Sequence, residues 1–256
     1  MLRRFENTRV ICPDYRGHGE SASASVHTYR VEQLSRDLDQ ILCALDVRGP
    51  VTLIGHSLGG MVALNYISGT AERQCPAPVR GLVLCATAAG RLPERGVGRL
   101  LSIPALDGLT EAIGQVPACA TRAVTVPLRL MLNRLREHGS LTQRALTSVA
   151  ASALGSTPLR TAVGFLPALR DFDEHRNLAK INAHTTILSG GFDVLTPPAH
   201  AEDMAAAIPS ALHVHVPSAG HMLPQQAPSV VNTAVARTIA AAAVAARTRL
   251  AAPAVS

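Results

Sequence analysis

Three residues of this chain have the types and surroundings needed for nucleophilic chemistry: Ser57, Asp193 and His221. Ser57 lies in Gly55-His56-Ser57-Leu58-Gly59-Gly60, a G-x-S-x-G frame between the apolar run VTLI (residues 51–54) and MVALNYI (61–67). The first run reads as a buried strand and the second as a helix. The serine therefore occupies a sharp strand-to-helix turn, where glycines let the backbone crowd while Oγ stays exposed. The helix N-terminus beside it offers free N–H groups and a positive dipole end, both favourable to an oxyanion. A serine hydroxyl is a weak nucleophile until an imidazole takes its proton, and the imidazole needs a carboxylate to hold one tautomer. Asp193, in GGFDVLTPP, and His221, in SAGHM, each follow a strand-like run and complete the order Ser, Asp, His along the chain.

Plainer readings stand beside these. Ser57 could sit idle in a Gly-rich turn, Asp193 could cap a turn ahead of Pro197, and His221 could belong to a surface loop. His56 adjoins the serine, and a residue in that place points away from the chemistry. Asp173, in RDFDEH, is an alternative acid. Asp14 and His18, in DYRGHGES, suit a role in shaping a loop near the site. His213 and His215 alternate along a strand and share a face, as a metal pair would. No carboxylate or cysteine cluster accompanies them, so no metal is expected.

The elements that position these residues are legible from periodicity. Arg9, Val10, Ile11 and Cys12 read as a short strand ended by Pro13, and residues 14–25 as loop. Val31, Leu34, Leu38, Ile41, Leu42 and Leu45 fall at helical spacing, and Gly49-Pro50 breaks the pattern before the Ser57 strand. Residues 81–86, 185–189 and 212–216 read as further strands, 199–208 and 226–250 as helices, with a frayed tail from Ala251. Strands alternating with helices predict an α/β fold with a mainly parallel sheet. Residues 88–180 differ: apolar helical pieces (127–135 and 141–154) separated by Gly and Pro, with no clear strand. This stretch reads as a helical cap inserted between core segments 1–87 and 181–250, with 251–256 a disordered tail.

Composition sets the class. The 256 residues are 47% hydrophobic and 16% charged, which fits a well-buried globular protein. The net charge is +6, and Lys180 is the only lysine among 24 basic residues. The arginines are scattered and aromatics are few, so nucleic acid is not an expected partner. Five cysteines (Cys12, Cys43, Cys75, Cys85, Cys119), odd in number and without C-x-x-C spacing, predict free thiols in a reducing cytoplasm. No signal peptide or membrane span is apparent; the alanine-rich stretch 239–246 is too short to cross a bilayer.

RVICPDYRGHGES, YRVEQLSRDLDQILCALDV, GHSLGG, GGFDVLTPP and AGHMLP together resemble the α/β-hydrolase fold superfamily. Within it, the similarity is to the group of capped serine esterases, C–C hydrolases and cofactor-free haloperoxidase-like proteins. The resemblance implies Ser57 as nucleophile, His221 as general base and then acid, and Asp193 as the orienting carboxylate. It also implies the backbone N–H of Leu58 as an oxyanion-hole donor, with no cofactor. A serine at position 57 argues against the dehalogenase and epoxide-hydrolase branches, which use aspartate there.

The chain departs from the family at its N-terminus. Family members carry, upstream of the RVICPDYRGHG equivalent, a hairpin and a central strand ending in His-Gly, and the next residue donates a second oxyanion N–H. Residues 1–7 would fall after that strand. The sequence is therefore expected to begin inside a longer natural protein, leaving the 51–54 strand with an open edge. Loss of one oxyanion donor costs roughly 3–4 kcal/mol elsewhere. The expected activity is hydrolysis of a carboxylic ester or thioester with an apolar acyl group. C–C bond hydrolysis or perhydrolysis with the same triad, or a non-catalytic binding protein on the hydrolase fold, are the alternatives. The expected partner is a small apolar ester or related molecule; assembly into a homo-oligomer stays open.

Overall fold

The computed structural model of the chain describes residues 8–69, 73–104, 106–116, 134 and 157–251. Helix α1 (Val31–Ala44) leads into β1 (Val51–His56), α2 (Leu58–Ser68) and β2 (Val79–Cys85). After α3 (Leu106–Gln115), α4 (Leu159–Gly164) and α5 (Leu166–Asp171) come β3 (His184–Gly190), α6 (Pro198–Ala207) and β4 (Leu212–Val216). Short α7 (Leu223–Gln226) and long α8 (Pro228–Ala251) end the described chain.

The four strands form one parallel sheet in the order β1-β2-β3-β4. Period-two alternation sends neighbouring side chains of β2 to opposite faces. Leu82 and Leu84 join one core with Leu34, Met61, Leu64, Tyr66 and Ile187, while Val83 and Cys85 join a second with Leu188, Leu223, Val231 and Val235. Helices thus cover both faces, α1, α2 and α6 on one and α7 and α8 on the other. Burial on both sides explains why the strands read as continuous apolar runs rather than alternating ones. Helix α2 is buried from Gly60 through Tyr66, and it ends where Gly69 takes a left-handed conformation (φ 67°).

Several expectations are corrected. Residues 9–12 form no strand. Extended chain becomes a strand only by pairing, and no described strand lies beside it; Ile11 instead packs against the first core and Arg9 donates to Leu45 O at 3.1 Å. The long helix expected over 226–250 is present but starts at Pro228; Gln226 instead ends the short α7, and Ala227 separates the two because Pro228 disfavours a helical residue before it. Helix α8 also continues through Ala251. The open edge on β1 is present: among the described residues it pairs only with β2, and Ile54 remains 46% exposed.

Residues 90 and 173 meet in an isolated antiparallel bridge, backed by Glu174 N–H donating to Ala89 O at 2.7 Å, so the intervening chain loops out from one point. Its described parts are 3-10 turns (Leu92–Glu94 and Gly96–Ser102) and α3 to α5. The helical pieces expected at 127–135 (apart from Arg134, which is helical) and 141–154, Cys119, and the tail 252–256 lie outside the described residues.

Candidate active site

The strand-to-helix turn places Ser57 at φ 52°, ψ −122°, a strained conformation for a residue with a Cβ. The surrounding contacts hold it there. Ser57 N–H donates to Cys85 O (3.0 Å), and Ser57 O accepts from Gly60 N–H (2.9 Å) and from the Thr87 hydroxyl (2.7 Å). A Cβ on Gly55 would collide with the Gly59 carbonyl, and one on Gly60 would come within 2.5 Å of Thr87 Cγ2. Gly55 is the close approach that the G-x-S-x-G frame anticipates; Gly60 lies one residue beyond the frame, and a Cβ on the frame's second glycine, Gly59, would meet only Tyr15 Oη at 3.5 Å. Leu58 is the first residue of α2, so its N–H is one of those that a helix start leaves without an intrahelical acceptor.

His221 lies on the loop between β4 and α7, and Asp193 on the loop between β3 and α6. His221 Nε2 is 2.9 Å from Ser57 Oγ, while Nδ1 is 2.9 Å from Asp193 Oδ2 and 3.1 Å from Oδ1. A proton on Nδ1 satisfies both contacts: Nδ1–H donates to the carboxylate, and Nε2 accepts from the serine. The Asp193 side chain is fully buried and that of His221 nearly so. Burial pushes the Asp193 carboxyl up, but His221 and the donors from Thr196 outweigh it and hold the group below the ordinary carboxylate value. Those donors are specific. Leu195 N–H and Thr196 N–H both reach Oδ1 at 2.9 Å, and the Thr196 hydroxyl reaches Oδ2 at 2.8 Å.

The other candidates fall elsewhere. His56 Nε2–H donates to the backbone carbonyl of His221 at 2.7 Å, with ring centroids 5.1 Å apart; burial lowers its pKa below that of an ordinary imidazole. It braces the His221 loop through that bond. Asp173 is taken up by His175 (2.7 Å) and Arg91 (3.7 Å). Asp14 accepts Glu20 N–H at 3.0 Å and so shapes its loop, while His18 packs between Tyr15 and Phe165. His213 and His215 both contact Ser189 Oγ, at 2.8 and 3.0 Å. No cluster among the described residues could hold a metal ion.

Sequence reasoning passed over Thr196, Thr87 and Gln226, whose Oε1 accepts Gly220 N–H at 2.6 Å and fixes the turn before His221. Thr196 left a signal: a hydroxyl three residues after an Asp fits the local side-chain-to-backbone bonding of an Asx turn. The other two are joined through space and leave none.

A family model described as "alpha/beta hydrolase fold" matches residues 5–228. The chain is 29% identical over 236 residues to the dihydrolipoyllysine-residue acetyltransferase component of an acetoin cleaving system from Pseudomonas putida. That alignment covers 88% of this chain and 54% of the relative, so the chain spans about half of that protein. It is 26% identical to the sn-1-specific diacylglycerol lipase ABHD11 of Mus musculus, covering 89% of this chain and 70% of the lipase. A hydrolase of Pseudomonas aeruginosa PA01 superposes with a TM-score of 0.63 at 25% identity, over 88% of this chain and 77% of that one. With the strained serine turn, the parallel sheet and a match across most of its length, this chain belongs to the α/β-hydrolase fold family.

Proposed function

We propose that the chain is a serine hydrolase cleaving a carboxylic ester or thioester with an apolar acyl group. The observation that carries this reading is the unbroken line from Asp193 through His221 to Ser57, with both links at 2.9 Å. Ser57 Oγ attacks the carbonyl as His221 Nε2 takes its proton, and the buried Asp193 carboxylate stabilises the resulting imidazolium. The N–H of Leu58 and the start of α2 meet the oxyanion that forms. His221 then returns the proton to the leaving alcohol or thiol. In the second half it activates water, which releases the acyl group from Ser57 and restores the free serine.

The apolar acyl preference rests on the side chains beside the turn. Tyr15 Oη lies 3.5 Å from where a Cβ on Gly59 would stand, and His18 links Tyr15 to Phe165 at the start of α5. Aromatic side chains therefore run from the serine helix to the buried Phe165, inside residues 88–180, the stretch proposed as a helical cap inserted between core segments 1–87 and 181–250. A diacylglycerol lipase among the relatives is in keeping with such a substrate. The described cysteines, Cys12, Cys43, Cys75 and Cys85, are free thiols, and no helix among the described residues is long and apolar enough to cross a membrane; the cytoplasm is the proposed compartment. Hydrolysis of p-nitrophenyl esters of graded acyl length tests the substrate reading. Rates rising with acyl length support it, and a preference for short charged esters overturns it.

A further inference from the structure

The opposite end of the sheet carries a second feature. An open cavity of about 420 Å³ lies where β2 begins and β3 is about to begin, lined by Arg73, Arg80, Lys180 and Asn182 over a floor that includes Pro76 and Pro78. No carboxylate is among its described lining residues. The three cations come from separate parts of the chain: the segment after α2, the second residue of β2, and the last residue of the 3-10 turn His175–Lys180. Lys180 is the chain's single lysine.

Their pairing state sets them apart. Elsewhere, Arg16, Arg48, Arg91, Arg95 and Arg170 each face an aspartate within 4 Å. In the cavity, among the described residues, Arg73 makes a cation–π contact with Tyr66 (5.3 Å to the ring centroid) and no ion pair, and Lys180 donates to the neutral amide oxygen of Asn177 (3.0 Å) and has no ion pair. Arg80 has no acidic partner among the described residues. The nearby buried carboxylate, Asp39, is committed to Gln74 N–H, Cys75 N–H and the Tyr66 hydroxyl, and it does not line the cavity. Three cations that line one cavity with no counter-charge among the described residues give it a positive potential, which an anion bound there would offset. Guanidinium groups present paired N–H donors that match the oxygens of a phosphoryl group, and an ammonium adds a movable point charge.

We propose that this cavity is a binding site for a small, multiply charged phosphoryl ligand, separate from the Ser57 site. Arg80 and Cys85 stand five residues apart on β2, and Ser57 pairs with Cys85, so the two sites are about 17 Å apart along the strand. The site is open enough for a ligand of phosphate-ester size to enter from solvent.

Calorimetric titration of the 256-residue chain with inorganic pyrophosphate, against sodium chloride of equal ionic strength, tests the proposal. The expected result is saturable single-site binding that weakens as salt is added. Arg80→Gln and Lys180→Gln each weaken it about tenfold, the loss of one charge-assisted contact. Arg80→Lys recovers most of the affinity, and Arg36→Gln, an exposed cation on α1, leaves it unchanged. Circular dichroism of each variant establishes that it is folded. The absence of saturable binding, or equal affinity in the parent and a folded Arg80→Gln/Lys180→Gln double variant, overturns the proposal. Neither result bears on the esterase reading, which does not involve these residues.

Discussion

The two ends of strand β2 solve opposite electrostatic problems. At its C-terminal end, beside Cys85 and Ala86, the charged group is buried and fully satisfied: the Asp193 carboxylate accepts four donors, from Leu195, Thr196 twice, and His221. At its N-terminal end, Arg73, Arg80 and Lys180 face an open cavity without an acidic partner among the described residues. A buried charge must be paired because desolvation of an unpaired one costs several kcal/mol, whereas a cation in contact with water stays unpaired at little cost. The first end is therefore built for preorganised chemistry, with its donors fixed before any substrate arrives. The second is built to receive a counter-charge from outside.

Variants at the buried end should have large effects, because each removes part of a closed network. The largest is expected for Asp193→Asn. An amide cannot hold the Nδ1–H tautomer against a developing imidazolium, so ester turnover should drop by roughly 10³–10⁴ with intact fold. The same variant reports on pH. Because Asp193 is held below its ordinary pKa in the folded state, it contributes stability above the unfolded value, and that stability is lost as pH falls through the lower folded value. The stability gap between parent and Asp193→Asn should therefore be constant near neutrality and close on acidification below about pH 4. Urea denaturation at a series of pH values measures it.

Next in size is Gly60→Ala. The added methyl meets Thr87, which itself bonds the Ser57 carbonyl, so the serine turn loses support; a loss of about 2 kcal/mol in thermal or urea unfolding is expected. The smallest is Thr196→Val, which keeps the shape and removes one donor to Asp193 Oδ2. A fall of about tenfold in kcat with KM little changed is expected. Thr196→Ser should restore it, an outcome that separates the hydroxyl from simple packing.

How much of this was readable in the sequence follows from how far apart the interacting residues lie. The serine turn was legible because strand, glycines and helix are contiguous, and local sterics impose their order. Asp193 and His221 were legible as residues after strands, although contacts spanning 28 and 164 residues become visible only once β3 and β4 stack beside β2. Residues 9–12 show the limit of the same method: their composition suits a strand, but pairing decides, and composition does not report pairing. His56 is legible only as a neighbour of the serine; its bond to the His221 carbonyl depends on a loop 165 residues distant. The basic cavity was invisible for the same reason. Residues 73, 80 and 180 line one cavity because β2 and β3 run parallel in a register that sets Gly81 beside His184.

The central claim is that Ser57, His221 and Asp193 act as one unit, and a fluorophosphonate probe tests it most directly, since the probe bonds only to a serine whose proton has somewhere to go. The account predicts labelling of the 256-residue chain that disappears in both Ser57→Ala and His221→Ala. A folded, soluble chain that takes no label, or a label that persists in Ser57→Ala, would contradict it.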